Sequence, residues 1–142
     1  MSAPVERPVP CAGVVCLRGD EVLLIRRGKA PLKGEWSLPG GRMEMGEGVA
    51  HTALRELTEE TGVEAELLGL IDVVDHFHDG GQALLIDYAA RWIAGEPVAG
   101  DDATEARFFA VAEAMDLVGW DETRRVIALA VERFSGAARI LA

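Results

Sequence analysis

Hydrophobic and polar positions along the chain fall into blocks of different period. Residues 9–17, VPCAGVVCL, are apolar and β-branched; Arg18-Gly19-Asp20 interrupts, and residues 21–26, EVLLIR, resume the run. This pattern predicts two strands joined by a short hairpin, with the RGD triplet serving as its turn. Residues 1–8 read as an extended tail. Over residues 27–46 the periodicity vanishes into a stretch with glycine at 28, 34, 40, 41 and 46 and proline at 31 and 39. A loop of that length inside a compact domain is usually functional. Residues 47–61 predict a helix, with Gly62 suited to a left-handed cap. Residues 64–77 and 82–92 predict two long strands, and His78-Asp79-Gly80-Gly81 between them spells a second hairpin. A proline- and glycine-containing stretch at 95–100 leads to a short strand at 106–110 and a short helix at 111–117. The last element is a helix over 121–134, in which Val126, Ile127, Ala130, Val131 and Phe134 form an apolar stripe of core-packing type. Residues 135–142 are left as a C-terminal tail. Strands and helices in this order predict an α/β fold, a mixed sheet sandwiched by helices.

A length of 142 residues gives one domain, and 49% hydrophobic residues place it among globular chains. Fourteen basic against twenty-four acidic side chains leave a net charge of −10, so the far field repels polyanions and a nucleic-acid polymer is excluded as partner. No apolar run is long enough to span a bilayer, and the first ten residues, MSAPVERPVP, carry neither a basic start nor an apolar core. The expectation is a soluble, cytoplasmic protein with no membrane partner. Cys11 and Cys16 lie five apart in an apolar stretch, which suits reduced core thiols and neither a zinc cage nor a CxxC redox pair.

Chemistry concentrates on the first helix. At about 100° per residue, Glu56, Glu59 and Glu60 fall within an arc of about 100°, while Ala50, Ala53, Leu54 and Leu57 fill the neighbouring arc and predict the packing face. Like charges at these spacings cost a few tenths of a kcal/mol per pair, and glutamates near a helix C-terminus also oppose its dipole. A bound cation offsets such costs. All-oxygen ligands suit a hard divalent ion, Mg²⁺ or Mn²⁺, rather than zinc.

The surroundings of these glutamates are equally specific. Gly41, five residues, Glu47, seven residues, then Arg55-Glu56-Leu57-Thr58-Glu59-Glu60-Thr61-Gly62-Val63 reproduce the pattern Gx5Ex7REUxEExGU, with U aliphatic. In this the chain resembles the Nudix hydrolases, and the likeness extends to the upstream GEWSLPGG (34–41) and to EARFF (105–109). The resemblance implies a Nudix-type α/β/α sandwich with a loop-helix-loop metal motif. It also implies divalent-metal-dependent hydrolysis of a nucleoside diphosphate linked to another group, and a homodimer.

Carried onto these positions, the resemblance makes Glu56, Glu59 and Glu60 metal ligands, assisted by Glu47 and by a backbone carbonyl of Gly40-Gly41. Arg55 then braces the carboxylates through charge-assisted hydrogen bonds. Glu60 is the first candidate for the general base and Glu105 the second, with Asp101 and Asp102 weaker and read as a turn. Arg27, Lys33 and Arg42 lie on the glycine-rich approach, within reach of phosphate oxygens. Trp36 is expected to anchor that loop from beneath. His76, Phe77 and His78 lie near a hairpin tip where a base or ribose can be gripped, with Phe77 the contact residue; strand alternation accounts for the two histidines without a metal. The likeness of APLKGEWSLPGG and LLGLIDVVD to small bacterial Nudix proteins puts ADP-ribose or a similar nucleotide sugar first as substrate. An oxidised deoxynucleoside triphosphate such as 8-oxo-dGTP is the alternative, and a non-hydrolysing nucleotide sensor a third reading.

Overall fold

A computed structural model describes residues 6–29 and 32–140. Its order is β1 (Val9–Arg18), β2 (Glu21–Arg27), β3 (Trp36–Ser37), β4 (Gly40–Arg42), α1 (Val49–Thr61), β5 (Glu64–His78), β6 (Gly81–Ala94), β7 (Ala103–Ala110), α2 (Val111–Leu117) and α3 (Asp121–Ile140). The seven strands form one mixed sheet. Its path runs β3-β2-β1-β6-β5, with β4 added to β1 and β7 to β2. Only β1 and β6 pair in parallel, with Cys11 opposite Leu85 and Gly13 opposite Asp87; the other named pairings are antiparallel.

Alternation along β1 sorts the core into two layers. Ala12, Val14 and Cys16 face α1 and pack with Ala53, Leu57 and Val63. Val15 and Leu17 face the other way, into a larger cluster with Val126, Ile127 and Ala130 of α3 and Ala114 of α2. The expected α/β/α sandwich is therefore observed, built on the strand period of two. Both cysteines are free thiols, with Cys16 fully buried.

Three local expectations differ from the structure. The irregular stretch at 27–46 contains β3 and β4, whose two and three residues are too short to carry a period. Helix α3 runs on to Ile140, so the predicted tail from 135 is helical as far as it is described; Ala138 is buried in the core, which holds the last turns down. On α1 the buried residues are Thr52, Ala53, Glu56, Leu57, Glu60 and Thr61, whereas Ala50 is exposed. The packed face is thus rotated toward the glutamates, and two of the three lie under cover. Helix α1 ends as expected, with Gly62 at φ 69° and its N–H donating to Thr58 O at 2.9 Å.

Candidate active site

The carboxylates of α1 meet the glycine-rich strand β4. A Cβ on Gly41 would lie 2.5 Å from Glu56 Cδ, so only glycine lets the strand cross above that side chain. One residue earlier, Gly40 N donates to Glu60 Oε1 at 2.8 Å. Burial pushes Glu60 up to about 8, against the lowering effect of that bond and of Arg27. Glu56 is raised in the same direction, again by burial, with the guanidinium of Arg55 opposing.

Arg55 organises the cluster. Its Nε donates to Glu47 Oε2 at 2.6 Å, its Nη1 to Glu56 Oε1 at 2.9 Å and Glu59 Oε2 at 3.1 Å, and its Nη2 to Glu47 Oε1 at 2.8 Å and the Arg42 carbonyl at 3.0 Å. One planar fork therefore reaches three carboxylates and the backbone of β4. Glu47 also accepts from Glu44 N at 2.8 Å and Thr52 Oγ1 at 3.0 Å, and the Arg55 hydrogen bond is the main cause holding its carboxyl down at about 2. Both its oxygens are thus engaged within the protein.

The loop after β6 supplies a further carboxylate. Val98 N donates to Thr61 O and Gly100 N to Glu60 O, so the loop crosses the end of α1. Asp101, at φ 51°, is delivered beside the helix, and one oxygen from each of Glu56, Glu59 and Asp101 lies within 4.8 Å of the others. Sequence reasoning ranked Asp101 below Glu105. The structure puts Glu105 on exposed β7, opposite Arg26 and 3.8 Å from its guanidinium, and not in the carboxylate group. Register explains this: β7 pairs with β2, while the turn preceding it touches α1. Three carboxylates so close fit a hard divalent cation by their donor chemistry.

A cleft of about 610 Å³ opens on the other side of Gly40-Gly41, and Arg27 and Arg42 are among its lining residues. His76 and His78 also line it, but Phe77 does not; strand alternation turns Phe77 away, and it is 71% exposed. Trp36 packs edge-on against Phe109, ring centroids 5.0 Å apart, and anchors the loop as expected. Lys33 is exposed. On the cleft floor lies a residue absent from the sequence-derived site, Asp87, only 7% exposed. Its one signal in the sequence is an acidic residue inside the apolar run ALLIDYAA.

The model of the NUDIX domain matches residues 7–130. The chain belongs to the NUDIX family. Among its relatives is the ADP-ribose pyrophosphatase of Methanocaldococcus jannaschii, 41% identical over 95 residues, which are 65% of this chain and 56% of that protein. The 8-oxo-dGTP diphosphatase of Proteus vulgaris is 38% identical over 83 residues, 57% of this chain and 74% of that protein. The chain thus spans little more than half the length of the first relative, and the stretch shared with a human 8-oxo-dGDP phosphatase is 17% of that protein. Among solved structures, a MutT NUDIX hydrolase from Burkholderia pseudomallei superposes with TM-score 0.76 at 30% identity, covering 87% of this chain and 98% of that one. The NUDIX domain of Shewanella oneidensis NrtR, solved with ADP ribose, shares the fold at TM-score 0.77 and 21% identity, over 92% of this chain and 90% of that one. NUDIX hydrolases use divalent metals, and an acidic cluster of Glu56, Glu59 and Asp101 is present here.

Proposed function

We propose that the protein hydrolyses a phosphoanhydride bond in a nucleoside diphosphate linked to another moiety, with a divalent cation, Mg²⁺ or Mn²⁺, held by Glu56, Glu59, Glu60 and Asp101. The observation that carries this reading is the approach of Glu56, Glu59 and Asp101 oxygens to within 4.8 Å on a helix braced by Arg55. The Gly41 carbonyl and Glu47 belong to the same reading, Glu47 as a brace whose oxygens already hold Arg55 and Thr52. When bound, the cation neutralises the carboxylates and the diphosphate, polarises the phosphorus centre and makes a water molecule more acidic.

The chain's own residues do the rest. Arg27 and Arg42, lining the cleft next to Gly40-Gly41, are the phosphate contacts. Glu60 is the favoured base: it sits on a rigid helix and has one oxygen oriented by Gly40 N. Glu105, ion-paired to Arg26, is the less favoured alternative.

For the substrate, the M. jannaschii relative supports ADP-ribose or a similar nucleotide sugar. A second reading, an oxidised purine triphosphate, is supported by the diphosphatase relatives and by the acidic cleft floor at Asp87. Because every metal-site carboxylate is intact, the non-hydrolysing sensor is the weakest of the three readings. A homodimer fits edge strand β5, which exposes Leu70, Val73 and Phe77; sedimentation would report it directly. The test of function is a phosphate-release screen over ADP-ribose, other nucleotide sugars, dinucleotide polyphosphates and normal and oxidised dNTPs. Turnover of at least one class with Mg²⁺ or Mn²⁺ is expected, and no turnover of any would refute the reading.

A further inference from the structure

We infer that Asp87 is the specificity-determining residue of the cleft, reading a nucleobase by accepting hydrogen bonds from the paired N–H donors of a guanine-type edge. This rests on the cleft being the nucleotide site proposed above, and of the two substrate readings it favours the oxidised purine triphosphate over the adenine-containing ADP-ribose.

The position is built for a carboxyl group. Asp87 lies on the same face of β6 as Leu85 and Ala89, both members of the α3-side core, where alternation calls for an apolar side chain. Across the parallel ladder stands Gly13, and a Cβ there would come within 2.3 Å of Asp87 Oδ1. The core gives up a side chain at 13, and the vacated space receives the carboxyl oxygen.

Among the described residues no hydrogen bond or ion pair reaches the side chain of Asp87, although it is more than nine-tenths buried. Buried carboxyls ordinarily acquire partners, because leaving one unsatisfied is destabilising. The nearest candidate cation is already engaged: Arg125 Nη2 lies 2.8 Å from Asp72 Oδ2 and 2.9 Å from Glu122 Oε2. Asp72, opposite Asp87 on β5, adds repulsion instead. The carboxyl faces the cleft, so a ligand seated there can supply its donors.

The cleft narrows the choice of ligand. His76 and Trp120, with ring centroids 4.8 Å apart, contribute flat surfaces to its lining, which suits a planar base. Burial raises the Asp87 carboxyl to about 6, and in its ionised form it is a pure acceptor. The N1–H and N2–H₂ groups of guanine present two donors side by side, matching two carboxylate oxygens. Adenine presents its N6–H₂ beside the N1 lone pair, and cytosine its N4–H₂ beside the N3 lone pair; each sets an acceptor against the carboxylate. A site built to accept two N–H bonds rejects such an edge strongly, since a buried oxygen is left without a donor.

The test measures binding without catalysis, using GMP, IMP and AMP in excess EDTA and following tryptophan fluorescence and calorimetric heat. GMP should bind about 30-fold tighter than AMP, in the range expected for a bidentate base contact, with IMP, which lacks the N2 amine, between them. Asp87→Asn presents one acceptor and one donor, so it should lose the GMP preference and gain affinity for AMP. The isosteric Asp87→Leu should lose GMP binding while melting at the same or a higher temperature. Equal binding of GMP and AMP, no binding of either, a GMP preference that survives in Asp87→Asn, or a lowered melting temperature in Asp87→Leu would each overturn the inference. Base preference without hydrolysis of any nucleotide would instead refute the proposed function alone.

Discussion

Glu47 and Asp87 are both carboxyl groups largely removed from water, and the fold treats them in opposite ways. Glu47 receives Arg55, Thr52 and a backbone N–H, and its carboxyl is held near 2. Asp87 receives none of these, and burial lifts it to about 6. The difference lies in where the arginines are spent. At α1 one guanidinium is shared among Glu47, Glu56 and Glu59, which keeps a crowded set of oxygens ordered, while the Glu60 carboxyl accepts from Gly40 N. On the cleft side Arg125 is committed to Asp72 and Glu122. The same residue type thus becomes an internally satisfied brace in one place and an open acceptor in the other.

The strongest challenge to the α1 half of this comparison is Glu60→Gln. It keeps the shape and the acceptor for Gly40 N while removing a negative charge and the proposed base, and kcat should fall on the order of 10³-fold. A loss below about tenfold would move the chemistry elsewhere. Removing the brace with Arg55→Ala should weaken metal affinity by about 10- to 100-fold, the usual cost of losing a group that orients ligands. Calorimetric titration with Mn²⁺ measures this, and unchanged affinity would make Arg55 a surface ion pair only. Smaller again is Glu105→Gln, expected to change kcat by less than about tenfold and to leave the acidic limb of the pH–rate profile in place. Slowing by hundreds of fold with that limb gone, in a variant that folds and binds Mg²⁺ normally, would transfer the base role from Glu60 to Glu105.

The subtlest effect is on stability. Glu60 is raised from 4.5 to about 8 and Asp87 from 3.8 to about 6, so the folded chain holds protons that the unfolded chain releases. The stability these two contribute is fully present below the unfolded values and is lost as pH rises through about 6 and then about 8. Glu47 works in reverse, stabilising above its ordinary value of 4.5 and losing that contribution as pH falls through about 2. The metal-free melting temperature should therefore decline between about pH 4 and about pH 8, with Mg²⁺ restoring more at the alkaline end. A flat profile would mean that neither Glu60 nor Asp87 is perturbed by burial.

Much of this architecture was legible in the sequence because it rests on local pattern. The β1–β2 turn, the Gly62 cap, the hairpin at 78–81 and helix α2 follow from periodicity and turn residues, and the glutamate spacing marked the acidic cluster proposed to hold the metal. What escaped depends on contacts distant in the chain. β3 and β4 exist because β2 and β1 offer them edges. Glu56 and Glu60 are covered because Gly40 and Gly41 cross above them, which the helical wheel alone cannot express. Asp101 reaches the cluster through backbone bonds from its loop to Glu60 and Thr61, and Asp87 is open to the cleft because of Gly13, 74 residues upstream on the neighbouring strand.

The central claim is that the carboxylates of α1 exist to hold a divalent cation for hydrolysis. The most direct measurement is turnover of the preferred nucleotide substrate by the wild-type protein in Mg²⁺ or Mn²⁺ and again in excess EDTA, with readdition of the ion. Activity that disappears in EDTA and returns with the ion is the predicted result, and full turnover in EDTA would contradict the account.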